Sequence, residues 1–241
     1  MKKLTSLRWL RWVIVLVLMP VVVYLCAISD RKYYLSALLV IAMTMAVFFL
    51  SFERRGPQAR ELALLAVMCA LAVASRVVVP FPSFKPTMAF VILAGLAFGA
   101  ERGFLCGALT ALVSNFFFSQ GPWTPWQMMG YGIGGLAAGL LGQIGLLKRK
   151  PRSAKDIAVL AVFGFVLIIV LVGPILDTST YLTVAMKSSV ATAALPIYLT
   201  GFLTANVPHG AATAVTLVLA GKPLLNMLDR IQTKYGLLLN R

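Results

Sequence analysis

The sequence predicts an all-α integral membrane protein that crosses the bilayer about eight times. Of its 241 residues, 60% are hydrophobic and 12% are charged, and the mean hydropathy is +0.91, far above that of an average soluble domain. The apolar residues form runs near the ~20 residues that a helix needs to cross a bilayer. The basic residues, which give a net charge of +15, lie between these runs and not on one soluble face as in a nucleic-acid-binding domain.

Eight apolar runs are candidate transmembrane helices. They span residues 9–29, 33–51, 60–79, 87–100, 103–119, 126–147, 156–175 and 191–220. The fourth and fifth runs are short and are separated only by residues 100–103, which predicts a tight helical hairpin. Pro196 and Pro208 predict that the last helix is kinked or partly broken.

The distribution of Lys and Arg predicts the orientation. A cytoplasmic N-terminus places seventeen basic residues inside and only Arg31, Lys32, Lys85 and Lys187 outside, with Arg76 near the outer end of a helix. This bias predicts a multi-pass plasma-membrane protein with both termini in the cytoplasm. The first run resembles a signal peptide, but a second apolar run follows it closely, so we expect it to be retained as a helix.

Three longer segments face outward in this arrangement: residues 79–87, 116–127 and 176–188. The middle one holds Trp123, Trp126, Gln120 and Gln127, directly after Asn115. Tryptophan also favours the headgroup region of any membrane protein, so an interfacial belt is an alternative. Amides among rings are costly to bury without a partner, and apolar walls with a few placed polar groups are typical of small-molecule sites.

The last apolar run carries Tyr198, Asn206 and His209, the only histidine. Polar groups in a membrane helix usually face the bundle interior. A lone histidine is more often a packing residue than a ligand contact. For Asp177 the alternatives to binding are a helix cap or a partner for Lys187.

No catalytic or metal-binding constellation is present in the sequence. Cys26, Cys69 and Cys106 have no metal-type spacing and no obvious pairing, so we interpret them as packing residues. Five of the seven acidic residues fall at predicted cytoplasmic helix ends beside Lys or Arg: Glu53, Glu61, Glu101, Asp156 and Asp229. We therefore expect no enzyme activity and no cofactor, and energy for any transport should come from a partner.

Small residues form stripes along several predicted helices. Ala66, Ala70 and Ala74 recur every four residues and let another helix approach closely, either within the bundle or in a partner. The stripes that contain Gly103 with Gly107 and Gly135 with Gly139 are assigned to internal packing.

About residues 60–236 resemble the S components, the substrate-binding membrane subunits of energy-coupling factor (ECF) vitamin transporters. The most specific similarities are the alanine stripe, the motif KPT at 85–87 and the motif GPWTPWQM at 121–128. The resemblance implies a six-helix core, here residues 59–241, preceded by an additional two-helix hairpin in residues 1–58. It also implies a vitamin captured at the outer face and docking onto a transmembrane coupling subunit that carries two ATPases.

The resemblance assigns two sets of residues. Ala66, Ala70 and Ala74 become the docking face. The substrate-binding residues become Phe84, Lys85, Asn115, Gln120, Trp123, Trp126, Gln127, Tyr131, Asp177, Tyr181, Tyr198, Asn206 and His209.

The identity of the vitamin stays open at this point. The overall pattern is most similar to the cobalamin-type S components, and a corrin fringed with amides suits ring walls that carry amide side chains. The absence of a basic cluster argues against a strongly anionic cargo. Folate, pantothenate, riboflavin and queuosine-type precursors are alternatives, and a non-transporting scaffold of the rod-shape-determining type is the rival from another class.

Overall fold

The computed structural model of the chain describes residues 13–28, 39, 42–43, 46, 59–147, 153–185 and 194–235. These residues form seven helices and no strand. Helix α1 joins a π-helical turn, Ile14–Leu18, to Met19–Ile28. Helices α2, α3, α4 and α5 are Ala59–Val78, Thr87–Phe98, Ala100–Phe118 and Thr124–Gln143.

The last two helices are long and contain π-helical turns. Helix α6 runs through Ala154–Leu167, the π turn Ile168–Val172 and Gly173–Ala185. Helix α7 runs through Ala194–Gly201, the π turn Phe202–Asn206 and Val207–Lys234. Among the described residues, three helices are long and apolar enough to span a membrane: Ala59–Val78, Ala154–Tyr181 and Ala194–Lys234.

The all-helical prediction is confirmed for the described residues, but the count of eight helices is not. The predicted span 33–51 lies almost wholly outside the residues that the structure describes, so it stays a prediction. The boundary at residue 58 between a hairpin and a core also stays a prediction.

Several predicted boundaries were wrong. The α3–α4 hairpin turns at Gly99 alone, whose φ of 97° suits glycine, and residues 100–103 already belong to α4. The predicted outward segment 176–188 is helical as far as Ala185. Helix α7 begins at Ala194 and continues through Pro208 and Pro223, with a π turn directly before Pro208 in place of a break.

Helix α3 is the centre of the bundle. Eleven of its twelve residues are buried, and it packs against α2, α4, α5 and α7. A helix that is apolar on all sides is stable when lipid or other helices surround it, and here other helices do so.

Glycines bring α4 and α5 into backbone contact, as the sequence predicted for these stripes. A Cβ atom at Gly107 would overlap the Tyr131 carbonyl, and one at Gly139 would overlap Ala100. In lipid, no hydrophobic driving force brings helices together. The van der Waals contacts that such close approach allows stabilise the pair instead. Helix α1 contacts α5 and α6 and leaves the α2–α4 face to other contacts.

The two ends of the bundle differ in chemistry. At one end Arg102 forms an ion pair with Glu61 at 2.9 Å and donates to the Phe98 carbonyl at 2.9 Å. Gln232 donates to the Ala97 carbonyl at 3.2 Å at this same end. We call it the basic end. The opposite end, where residues 79–86 and 119–123 connect the helices, is called the polar end.

Candidate functional site

The polar end is shaped by two short connections with strained backbone. Ser83 has a φ of 62° and Ser119 a φ of 71°. A non-glycine residue in this region costs roughly 1–2 kcal/mol. Strain of this kind is concentrated at functional sites, where the surrounding structure holds it in place.

A hydrogen-bonded group lies beneath these connections, and Asn115 is its centre. Arg76 on α2 donates through Nη1 to Asn115 Oδ1 at 2.9 Å and to Ser114 Oγ. Asn115 Nδ2 donates to Thr124 Oγ1 at 3.0 Å and to Gln127 Oε1 at 2.8 Å. Helices α2, α4 and α5 are thereby tied together. With Gln120 added, these residues are called the amide cluster.

Gln120 and Thr124 fix the turn between α4 and α5. Gln120 Nε2 donates to the Leu112 carbonyl at 3.0 Å, while its Oε1 accepts from Thr124 Oγ1 at 2.9 Å. The Thr124 hydroxyl also accepts from the Gly121 N–H at 3.2 Å. Helix α5 begins at Thr124 with Pro125 in its first turn, where proline suits a helix start.

The predicted outer loop at 116–127 is therefore shorter than expected. Residues 116–118 end α4, and residues 124–127 begin α5. Trp126 is buried, whereas Trp123 is 41% exposed and Phe84 is 37% exposed. The amides are bonded to Arg76, to the Thr124 hydroxyl, to one another and to the backbone, so their first role is to position neighbours.

Two cations share one aromatic ring at the polar end. The Arg76 Cζ lies 5.0 Å from the Phe118 ring centroid and 5.9 Å from that of Tyr131. The Lys85 Nζ lies 5.5 Å from the Phe118 centroid and donates to the Val79 carbonyl. Partial burial lowers the pKa of the Lys85 ammonium below its ordinary value, and the charge of Arg76 lowers this pKa further.

A second polar group joins α6 and α7. Asn206 Nδ2 donates to Asp177 Oδ2 at 2.7 Å, and the hydroxyls of Thr178 and Tyr198 are hydrogen-bonded at 2.7 Å. The rings of Tyr181 and Tyr198 lie 6.4 Å apart. These five residues are called the α6–α7 cluster, and a π-helical turn lies next to it in each helix.

Asp177 does not cap a helix, because it lies inside α6. Lys187, its other predicted partner, lies outside the described residues. Gly201 gives room for this carboxylate, since a Cβ atom there would overlap it. The amide of Asn206 is the partner that the structure gives it.

Tyr131 on α5 contacts both α2 and α7. Its ring is near the Arg76 guanidinium and makes an edge-on contact with the His209 ring, at 6.0 Å between centroids. His209 is buried, and its Nε2 has no hydrogen-bond partner among the described residues. Of the thirteen predicted site residues, three lie in the amide cluster and four in the α6–α7 cluster. The other six belong to neither group: Phe84, Lys85, Trp123, Trp126, Tyr131 and His209.

Sequence reasoning missed three members of the amide cluster as site residues: Arg76, Ser114 and Thr124. Arg76 was recognised as a cation near a membrane helix end but was not assigned to the site. The sequence did contain a signal for this. Arg76 lies near the end of one predicted helix, at the same predicted depth in the membrane as Ser114 and Asn115 near the end of another.

An apolar groove runs along the α2–α4 face. Its volume is about 730 Å³, and its walls include Leu65, Leu109 and the three predicted docking residues. Ala66, Ala70 and Ala74 are exposed in the described structure, so the alternative of packing within the bundle is not observed among these residues. We call this feature the alanine groove.

Two of the three cysteines face each other across α2 and α4, although sequence spacing showed no pairing. The Cys69 and Cys106 sulfur atoms are 3.3 Å apart, and both are free thiols. Within the described part of the chain, no three His, Cys, Asp or Glu side chains are grouped to hold a metal ion.

Long apolar helices around a buried central helix, with polar groups at one end, define a multi-pass helical membrane protein. The family model described as "ECF-type riboflavin transporter, S component" matches residues 57–229, so the chain belongs to this family of substrate-binding transporter subunits. Membership implies a partnership with an ECF module of coupling subunit and ATPases. Comparisons with curated proteins and with solved structures gave no match.

Proposed function

We propose that the chain captures a vitamin at the polar end and delivers it inward after the alanine groove docks onto the coupling subunit of an ATP-driven ECF module. The family match carries the transport role. The structural observation that supports it best is an exposed alanine line in an apolar groove, separate from the polar end.

The charge distribution supports an outward-facing polar end. Among the eight described basic residues, five lie at or near the basic end: Arg60, Arg102, Lys155, Arg230 and Lys234. Lys222 lies on α7, ten residues before Gln232. Only Arg76 and Lys85 lie at the polar end. Cytoplasmic faces retain the excess of Lys and Arg, so the basic end is assigned to the cytoplasm and the polar end to the outside.

The family's description favours riboflavin as the cargo, ahead of the cobalamin that sequence similarity favoured. A flat conjugated ring system suits the exposed Phe84, Phe118 and Trp123 side chains at this end. Cobalamin is the alternative, because the same rings and amides also suit a corrin.

The alanine groove suits a helix of a partner. Small side chains let two helix backbones approach, which is how helices associate in lipid. A groove of this size with apolar walls is matched by the side chains of a membrane helix, and helix α1 packs on a different face, against α5 and α6. The proposed occupant is therefore a helix of the coupling subunit.

The test compares Ala70→Trp with Ala63→Trp. Ala63 is an exposed alanine of the same helix that does not line the groove. In cells with the ECF module, Ala70→Trp should abolish vitamin uptake and co-purification of the coupling subunit, while the purified variant binds the vitamin as the wild type does. Ala63→Trp should retain uptake.

Three outcomes would contradict this proposal. Equal uptake by the two variants would remove the groove from docking. Loss of ligand binding in Ala70→Trp would show that the groove supports the fold. A purified wild-type chain that retains no vitamin would favour the scaffold role.

A further inference from the structure

Two positive charges are held close together at the polar end, and neither has an acidic partner among the residues that the structure describes. Since Arg76 and Lys85 both lie over the Phe118 ring, they are about 10 Å apart at most, comparable with the Debye length of ~8 Å at physiological ionic strength. No carboxylate of the described residues forms an ion pair with either one. The lowered pKa of Lys85 is partly caused by Arg76, so the two charges interact.

The Arg76 guanidinium has donors to spare. A guanidinium carries five N–H groups, and the hydrogen bonds to Ser114 and Asn115 both come from Nη1. The Nε and Nη2 groups have no hydrogen-bond partner among the described residues. A fork of such donors matches the two oxygens of a carboxylate or phosphate.

The amide cluster fixes the direction of this fork. Asn115 holds the guanidinium and is itself bonded to Thr124 and Gln127, and Phe118 and Tyr131 lie beside its plane. A basic side chain that only anchors the protein to headgroups snorkels on a flexible stem and needs no such support. Ordering a long side chain in advance reduces the entropy lost when a ligand binds.

Building on the proposed function, we infer that the ligand carries an anionic group, a phosphate or a carboxylate, which Arg76 binds through its free fork while Lys85 supplies a second charge. Riboflavin itself has no such group, so this inference favours its 5′-phosphate or an acidic vitamin over free riboflavin as the cargo. The sequence prediction that no basic cluster exists was wrong, because Arg76 and Lys85 are nine residues apart in the chain and only the fold brings them to one ring. The anion would neutralise a like-charge pair that the described residues leave uncompensated.

The test uses ligand pairs that differ only in an anionic group. The purified full chain is titrated with riboflavin and riboflavin 5′-phosphate, with biotinamide and biotin, and with pantothenol and pantothenate. The variants are Arg76→Gln, Arg76→Lys and Lys85→Gln, with Arg230→Gln as an exposed control at the basic end. Lys85 lies in a loop outside the amide cluster, so its variant tests the inference even where Arg76→Gln does not fold.

In whichever of the three ligand pairs binds, the anionic member should bind about 10- to 100-fold more tightly than the neutral one, as expected for hydrogen bonds to a charged group. Arg76→Gln should remove most of this preference, so that the two members of a pair bind this variant with similar affinity. Arg76→Lys and Lys85→Gln should remove part of it, and Arg230→Gln none. Equal affinity for both members, or a preference that survives Arg76→Gln and Lys85→Gln, would overturn the inference while leaving the vitamin-binding function intact.

A second measurement separates the two proposals when no vitamin binds. Inorganic phosphate or pyrophosphate should raise the thermal unfolding temperature of the wild type and not that of Arg76→Gln or Lys85→Gln. Stabilisation by these anions, together with the lack of binding to any vitamin, would support the anion site and reject vitamin capture. No effect of any anion would overturn the anion site. Native mass spectrometry addresses the other source of phosphate: phospholipid retained by the wild type, lost in Arg76→Gln and not displaced by soluble anions would overturn the inference in favour of a lipid headgroup.

Discussion

Asn115 either contacts the ligand directly or positions its neighbours, and Asn115→Ala distinguishes these two roles. The side chain is buried and makes three hydrogen bonds, to Arg76, Thr124 and Gln127, which join three helices. Alanine removes all three bonds and the carbonyl that orients the guanidinium. A residue that served only to touch a ligand would leave the stability of the free protein nearly unchanged.

The magnitude follows from the partners. Each of the two neutral hydrogen bonds contributes on the order of 1 kcal/mol, and the one from Arg76 on the order of 2 kcal/mol because its donor is charged. Interhelical hydrogen bonds in membranes average less than this, and the partly exposed Gln127 and Arg76 can recover water, so the total is about 2–4 kcal/mol.

The assay is thermal or denaturant unfolding of the purified chain in detergent without ligand, followed by helical circular dichroism. Asn226→Ala is the matched control, because Asn226 is exposed on α7. Asn115→Ala should lower the unfolding temperature clearly and Asn226→Ala should not. Identical unfolding of the two variants would refute the positioning role and return Asn115 to the set of direct ligand contacts.

Two further predictions follow from the polar end and from the helix packing. Because the pKa of Lys85 is lowered, the affinity for riboflavin 5′-phosphate should begin to fall, as pH rises, below the ordinary lysine pKa of about 10.4, and Lys85→Arg, which stays cationic, should remove this fall. An equal fall in both proteins would exclude Lys85 as its cause. The sulfur atoms of Cys69 and Cys106 are 3.3 Å apart, so copper-phenanthroline oxidation should join them with the loss of two hydrogens by intact mass, and persistence of both thiols would contradict the packing of α2 on α4.

The apolar runs predicted helices well where the segment is apolar throughout. They failed where polar side chains are satisfied by hydrogen bonds within the helix. Residues 176–185 were expected to lie in an outward loop because they follow the predicted apolar span 156–175. In the structure, Thr178 donates to the Pro174 carbonyl at 2.7 Å and Thr180 to the Leu176 carbonyl at 3.4 Å, so the hydroxyls are satisfied by the helix itself. Hydropathy alone does not record such internal partners.

The candidate site was predicted in composition more than in arrangement. Asn115, Gln120 and Gln127 were correctly expected to lie close to one another, because a short connection brings them together. Arg76 joins them only through the packing of α2 against α4 and α5, where glycines let the α4 and α5 backbones touch. Spacing along one chain segment does not encode which faces of separate helices meet.

The most direct test of the proposed function is isothermal titration of the purified full chain against a panel of water-soluble vitamins, their phosphates and their precursors, beginning with riboflavin, riboflavin 5′-phosphate and cobalamin. A substrate-binding subunit should bind one member saturably, with one molecule per chain and without any ATPase present. A folded chain that binds no member of the panel would contradict vitamin capture at the polar end.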